Sequence, residues 1–191
     1  MANLKNIPLE TERLFLRLPE MGDASDMQRY AGDFDVASMT LSIPHPYDYD
    51  MAVEWIQSIH ERSEDATQFT YAIIRREDNQ LIGACGFDLN GEHRKAEIGY
   101  WIGQPYRGNG YATESARRLI QFCFEDLNLN RVEACYFAIN PASRRVMEKA
   151  GMTYEGTLRQ SIIREIPSVD YRACHDLGYC AILRSEWDAT Q

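Results

Sequence analysis

Hydrophobic and polar residues alternate from position 13 to 18, with Leu14, Leu16 and Leu18 on one side and Arg13, Phe15 and Arg17 on the other. A period of two marks a half-buried strand, and Pro19, which has no N–H for a neighbouring strand, ends it. Residues 22–31 read as a short helix. Each proline in Ser42-Ile43-Pro44-His45-Pro46-Tyr47 pushes its predecessor into an extended conformation, so no helix crosses that stretch. Residues 50–64 are helical again, with Val53, Ile56, Ile59 and His60 on one face. Residues 69–74 and 81–87 read as strands joined by a turn at Glu77-Asp78-Asn79-Gln80. Gly83 and Gly86 predict a bulge or a close backbone approach in the second of them.

A further strand covers residues 95–102. Ala112, Ala116, Leu119, Ile120, Cys123 and Leu127 then fall on one helical face. Residues 131–139 are rich in β-formers. From Asn140 to Gly151 the chain reads as a capped helix, with Asn at the N-cap, Pro141 at the first helical position and Gly just past the end. Strands at about 153–164 and 171–184 close the sequence. The order predicts a mixed α/β (α+β) fold: a central, mostly antiparallel sheet flanked by helices.

The 191 residues fit one domain spanning 1–191. A chain of that length buries roughly 70% of its unfolded surface and needs neither disulfides nor a structural metal. Cys85, Cys123, Cys135, Cys174 and Cys180 form no C-x-x-C pair, which fits reduced structural thiols and predicts no metal site. With 20 Lys+Arg against 29 Asp+Glu, the net charge of −9 disfavours a nucleic-acid partner. No apolar run approaches ~18 residues, so no membrane partner is expected. The N-terminal stretch has no apolar h-region, so the expected location is the cytoplasm. Residues 1–70 hold 5 basic and 13 acidic side chains, whereas residues 104–149 hold 7 basic and 5 acidic ones. This asymmetry reads either as a solvated acidic face or as an early segment meeting a cation and a later one handling an anion.

The segment Trp101-Ile102-Gly103-Gln104-Pro105-Tyr106-Arg107-Gly108-Asn109-Gly110-Tyr111-Ala112-Thr113-Glu114 carries the first chemistry. A helix N-terminus leaves N–H groups free and bears about half a positive charge, so it favours phosphate oxygens. Gly108 and Gly110 let the backbone approach an anion closely. A P-loop needs Gly-Lys-Ser/Thr where this chain has Gly110-Tyr111-Ala112, and a dinucleotide fingerprint needs a small residue where Thr113 stands. The third reading is the Q/R-x-x-G-x-G/A acetyl-coenzyme A loop, which Arg107-Gly108-Asn109-Gly110-Tyr111-Ala112 resembles, with Pro105 at the usual Gln/Arg position.

Downstream, Asn140-Pro141-Ala142-Ser143-Arg144-Arg145-Val146-Met147-Glu148-Lys149-Ala150-Gly151-Met152 resembles a signature of the GNAT superfamily of N-acetyltransferases. Its branch is that of the ribosomal-protein N-terminal acetyltransferases (RimJ/RimL type). The segments 9–17, 96–101, 154–159 and 183–187 resemble further strands of that branch. The resemblance implies the GNAT acyl-CoA N-acyltransferase fold and acetyl-CoA as cosubstrate, with no metal. It implies an acetyl-CoA site at Trp101, Ile102, Arg107, Gly108, Asn109, Gly110, Tyr111 and Ala112. Asn140 and Ser143 would meet the pantetheine arm, and Arg144 and Lys149 the anionic end.

The implied reaction is direct attack of an amine on the thioester. Backbone N–H groups at the end of the 95–102 strand can serve the oxyanion if that edge is splayed from the 131–139 strand. Many relatives place a tyrosine general acid where this chain has Met147; the resembled branch gives that task to the position of Ser143, so the resemblance implies Ser143 for assisting thiolate departure. Glu97 is the candidate base, acting through a water, with Glu155 the runner-up; the branch's late carboxylate is replaced by Ile162 and Ile163. His45 and Tyr47 would line the acceptor side with Glu155. The expected acceptor is a primary amine, foremost a peptide or protein N-terminal α-amine. A small amine on the same scaffold and a non-catalytic acyl-CoA sensor are the alternatives, and homodimerisation is left open.

Overall fold

The computed structural model describes residues 7–61 and 67–190. Eight strands form one sheet: β1 (Leu9–Glu10), β2 (Leu14–Arg17), β3 (Gln68–Arg75), β4 (Gln80–Asn90), β5 (Lys95–Ile102), β6 (Arg131–Phe137), β7 (Thr153–Ile166) and β8 (Tyr171–Leu183). Their order is β1-β2-β3-β4-β5-β6-β8-β7. Every neighbouring pair is antiparallel except β5 and β6. A parallel pair needs a crossover, and α4 (Tyr111–Glu125) supplies it. The other helices are α1 (Ala24–Ala31), α2 (Phe34–Ala37), α3 (Tyr49–Glu61), α5 (Pro141–Lys149) and α6 (Arg184–Asp188).

Period-two strands give the sheet two apolar faces. Leu14, Leu16, Ile73, Ile98, Val132 and Ile182 join Leu119, Ile120 and Cys123 of α4 in one core. Ile74, Leu81 and Ala84 join Met27 and Tyr30 of α1 and Ile56 of α3 in the other. The expected face of α4 is the buried one, with Phe122 and Phe124 added to it. Gly83 and Gly86 mark close approaches: a Cβ on them would stand 2.2 Å from the carbonyl oxygens of Trp101 and Phe69. The β3–β4 register also slips between Ile73 and Ile74, beside Gly83, so both features foreseen there occur.

Several boundaries differ from the sequence expectation for local reasons. The segment expected as helix from 22 begins with a 3-10 turn at Met21–Asp23, because Asp23 accepts from the Glu20 N–H and holds Arg17 in a two-pronged pair. The helix expected over 50–64 starts at Tyr49 and is described to Glu61; residues 62–64 lie outside the described residues. The strand expected to reach 139 stops at Phe137, whose carbonyl accepts the Asn140 N–H at 2.7 Å. Within the expected strand segment 9–17 the pairing is split into β1 and β2; residues 184–187, which the resemblance reads as strand, form helix α6 instead, and α2 is a further short helix without a sequence expectation.

The parallel β5–β6 pairing covers only Lys95–Glu97 against Arg131–Glu133. From Ile98 to Ile102, β5 remains paired with β4 but has no registered partner on the β6 side. The centre of the sheet therefore opens into a wedge, as the sequence argument required.

Candidate functional site

The wedge ends in the glycine loop. A 3-10 turn at Gln104–Tyr106 follows β5, and Arg107 Nε donates back to the Ile102 carbonyl at 3.2 Å. The Asn109 amide donates to the Tyr106 and Arg107 carbonyls at 3.1 and 3.2 Å. Gly108 and Gly110 have φ of +80° and +83°, the left-handed region that favours glycine. The first helical bond of α4 runs from the Glu114 N–H to the Gly110 carbonyl, so the N–H groups of Tyr111, Ala112 and Thr113 stand ahead of it. A Cβ at Gly108 would meet nothing within 4 Å, so no atom packs on that side of the loop. Unspent donors at a helix start are what a phosphate cradle draws on.

A residue that sequence reasoning overlooked clamps this loop from the other end of the chain. Arg13 donates to the Asn109 carbonyl at 3.0 Å, lies 4.8 Å over the Tyr111 ring and pairs with Glu114 at 2.6 Å. Glu114 also accepts from Thr11 Oγ1 at 2.6 Å and from the Arg13 N–H at 3.0 Å. Burial pushes its pKa up, but the bonds from Thr11 and Arg13 outweigh that and hold it below the ordinary glutamate value.

On the α4 face of the wedge, Asn140 caps α5: its Oδ1 accepts the Ser143 N–H at 3.2 Å. Ser143 is half-buried. The Tyr100 hydroxyl, on β5, donates to the Ser143 carbonyl at 3.1 Å and lies 3.0 Å from Ser143 Oγ. Arg144 is engaged with Glu148 at 2.8 Å and stacks 4.7 Å from the Tyr154 ring. Lys149 is exposed, and its carbonyl accepts from Arg117 at 3.0 Å. Ile102 is buried, whereas Trp101 packs against the α1–α3 core on the opposite face.

Glu97 alternates with the buried Ala96 and Ile98, so its carboxylate is on the face away from Ser143. There it lines a groove of about 240 Å³ with Asp88, Leu89, Asn90, Lys95 and Glu133. Burial first, then the neighbouring Glu97 carboxylate, push the pKa of the Cys135 thiol up to about 12. Tyr179, opposite Cys135 across β6–β8, is raised by burial and by the same group of side chains. Glu133 is occupied by Lys95 and Arg131, each at 2.6 Å. Arg131 also grips Glu155 with two bonds, at 2.8 and 2.5 Å. Among the described residues no group of three or more His, Cys, Asp and Glu side chains is arranged to hold a metal.

His45 lies elsewhere. Arg131 opens β6 and Phe137 closes it, so Glu155 and His45 belong to opposite ends of that strand. His45 Nδ1 is 3.0 Å from the Gly32 carbonyl, and its ring meets Phe34 edge-on at 5.5 Å. Phe34 in turn meets Tyr171, whose hydroxyl is 2.7 Å from His175 Nε2, and His175 packs on Phe137. Arg164 of β7 ties this wall down by donating to the carbonyls of Ala37 and Ile43. Tyr47 packs instead against the α1–α3 core, and burial and Asp48 raise its pKa to about 12. A wider open concavity of about 630 Å³ lies at Arg159, Gln160 and Asp176, where β7 bulges.

The sequence profile of a family described as "Acetyltransferase (GNAT) domain" matches residues 13–153. The chain belongs to the GNAT acetyltransferase family. As a GNAT acetyltransferase it is similar to N-acetyltransferase p20 of Bacillus licheniformis, with 36% identity over 79% of this chain and 85% of that one. Two solved structures share the fold. Ribosomal-protein-S5-alanine acetyltransferase from Vibrio fischeri is 18% identical with a TM-score of 0.79, covering 95% of this chain and 98% of that one. Spermidine N-acetyltransferase from Vibrio cholerae, solved with CoA and spermine, is 22% identical with a TM-score of 0.77, covering 93% and 99%. These two neighbours are named for unlike acceptors, so the fold does not choose the acceptor. Sequence reasoning missed Arg13, Tyr100 as a partner of Ser143, Cys135 and the Phe34–Tyr171–His175 wall. Only Tyr100 had a readable signal: it falls in the same period-two register as Ala96 and Ile98.

Proposed function

We propose that this GNAT acetyltransferase acetylates the α-amine of a peptide or protein N-terminus. The observation that carries the reading is the wedge between β5 and β6, with Ser143 on one face and Glu97 on the other. Acetyl-CoA held with its diphosphate at the 107–112 loop supplies the thioester to the wedge. Backbone N–H groups of β5 beyond Glu97 then meet the oxyanion. The amine nitrogen forms the new C–N bond, the C–S bond breaks, and the amine proton leaves to Glu97 through a water. Ser143 offers its hydroxyl to the departing sulfur. A thiolate with a pKa of roughly 8.5 needs little more than a hydrogen bond near neutrality. Glu97 is preferred over Glu155 as base because Arg131 pairs with Glu155.

The pKa arithmetic favours an α-amine. Freeing one of pKa about 8 at pH 7 costs about 1.4 kcal/mol, whereas a lysine of pKa ~10.4 costs about 4.6 kcal/mol. A base acting through a water matches the lighter task. Asp88 and Glu97 in one groove also suit a polyamine, which is the second reading.

A panel of four acceptors separates the readings: a basic peptide with a free N-terminus, the same peptide α-blocked with free lysines, spermidine, and a neutral amino acid. The free N-terminus is expected to be acetylated fastest, and its kcat/KM is expected to fall as salt rises, since screening reaches about 10 Å at 0.1 M. Equal rates for the blocked peptide overturn the α-amine assignment. Preference for spermidine selects the second reading, and binding without turnover makes the chain a sensor.

A further inference from the structure

We infer that Tyr100 is the positioning residue for Ser143, holding its hydroxyl at the sulfur side of the wedge; this rests on the reading of Ser143 given above. Tyr100 is three positions past the last β5 residue that pairs with β6, and Ser143 is in the first turn of α5. The bond between them therefore spans the wedge where no strand ladder does.

Its chemistry is specific. The phenol has one proton and two acceptors within reach, the Ser143 carbonyl at 3.1 Å and Oγ at 3.0 Å. Burial raises the Tyr100 pKa, outweighing the opposing bond from Ser143, so the group stays a neutral donor across the working pH range. The Ser143 N–H is already taken by Asn140, through Oδ1 and the carbonyl, both at 3.2 Å. Backbone and carbonyl of Ser143 are thus fixed, and its remaining freedom is rotation about χ1. Three staggered wells are open to a serine in general, and a partner at Oγ selects one. As Oγ–H turns to the departing sulfur, the Tyr100 O–H can swing from the carbonyl to Oγ and support the charge building there. No atom is gained or lost at Tyr100 in this exchange.

Tyr100→Phe keeps the ring in the core and removes only the hydroxyl. With a free-N-terminal peptide as acceptor, its kcat is expected to fall about three- to tenfold, the scale of losing one selected well and one hydrogen bond. The KM for acetyl-CoA should stay within about twofold. The deciding measurement is a double-mutant cycle with Ser143→Ala, with thermal unfolding confirming that each variant is folded. If Tyr100 acts through Ser143, the double variant has the kcat of Ser143→Ala alone. If Ser143→Ala slows turnover but Tyr100→Phe does not, or if the two losses multiply, the inference about Tyr100 is overturned while the role of Ser143 stands. If Ser143→Ala leaves kcat unchanged, the role of Ser143 falls and the inference falls with it.

Discussion

Gly110 offers a perturbation whose effects on stability and on binding can be separated. Its φ of +83° is left-handed, and a Cβ built there would stand 3.4 Å from Arg13 Nη2, the flexible end of a long side chain. The cost of Gly110→Ala is therefore conformational more than steric, about 1–2 kcal/mol for a non-glycine residue in that region. For a chain of this size each kcal/mol moves Tm by roughly 2–4 °C, so a drop of about 2–8 °C is expected by calorimetry. Gly110→Asn should lose less, because asparagine tolerates the left-handed region. Affinity follows a different rule. A charge-assisted bond to a phosphate oxygen is worth roughly 1.5–3 kcal/mol, so displacing one such contact weakens acetyl-CoA binding by about tenfold or more in titration calorimetry. Both variants should show that loss, and Gly110→Pro, which holds φ near −65°, should abolish binding. A Gly110→Ala protein with a lowered Tm but wild-type affinity would show that the strained loop does not hold the cofactor. An unchanged Tm would refute the strain argument itself.

Asn140→Ala removes the cap on the Ser143 N–H and should cost about 1 kcal/mol of stability, read as a Tm decrease of roughly 2–4 °C, together with weaker acetyl-CoA binding. Glu114 has a folded-state pKa below the ordinary value of 4.5, so its stabilisation is fully present above that value and lost as pH falls through the lowered one. The Tm gap between wild type and Glu114→Gln should therefore be constant near neutrality and close below about pH 4.5; a gap that widens in acid contradicts the Arg13 clamp.

What the sequence revealed is what short-range periodicity can encode. The face of α4, the cap of α5 and the glycine turn depend on residues within a few positions of one another. The β1 strand spans two residues and α2 spans four, and neither length establishes a period; tertiary packing decides both. The contacts that build the site are more distant. Arg13 reaches Glu114 from 101 positions away, and Tyr100 reaches Ser143 from 43. The fate of Glu155 depended on Arg131, 24 positions earlier, and no local pattern ties them. The early acidic excess was ambiguous for the same reason. Asp23 is taken by Arg17, while Asp33 and Asp48 accept backbone N–H groups at the starts of α2 and α3, so part of that charge is architectural.

The wedge also bears on aggregation. An unpaired strand edge invites a strand from another molecule, most of all where it is flat and apolar. The segment Ile98-Gly99-Tyr100-Trp101-Ile102 is such an edge, yet it is in the middle of an eight-stranded sheet. The two outer margins are protected by familiar means. On one, β1 is only two residues long; on the other, β7 has Glu155, Arg159, Arg164 and Glu165 along its length and breaks register between Leu158 and Ile162. The inner edge has none of these defences. It is flanked by β6 and α5 and bridged by Tyr100, so an intruding chain meets a recess that narrows to a paired end. The opening that chemistry requires is thus kept where another polypeptide has the least access to it.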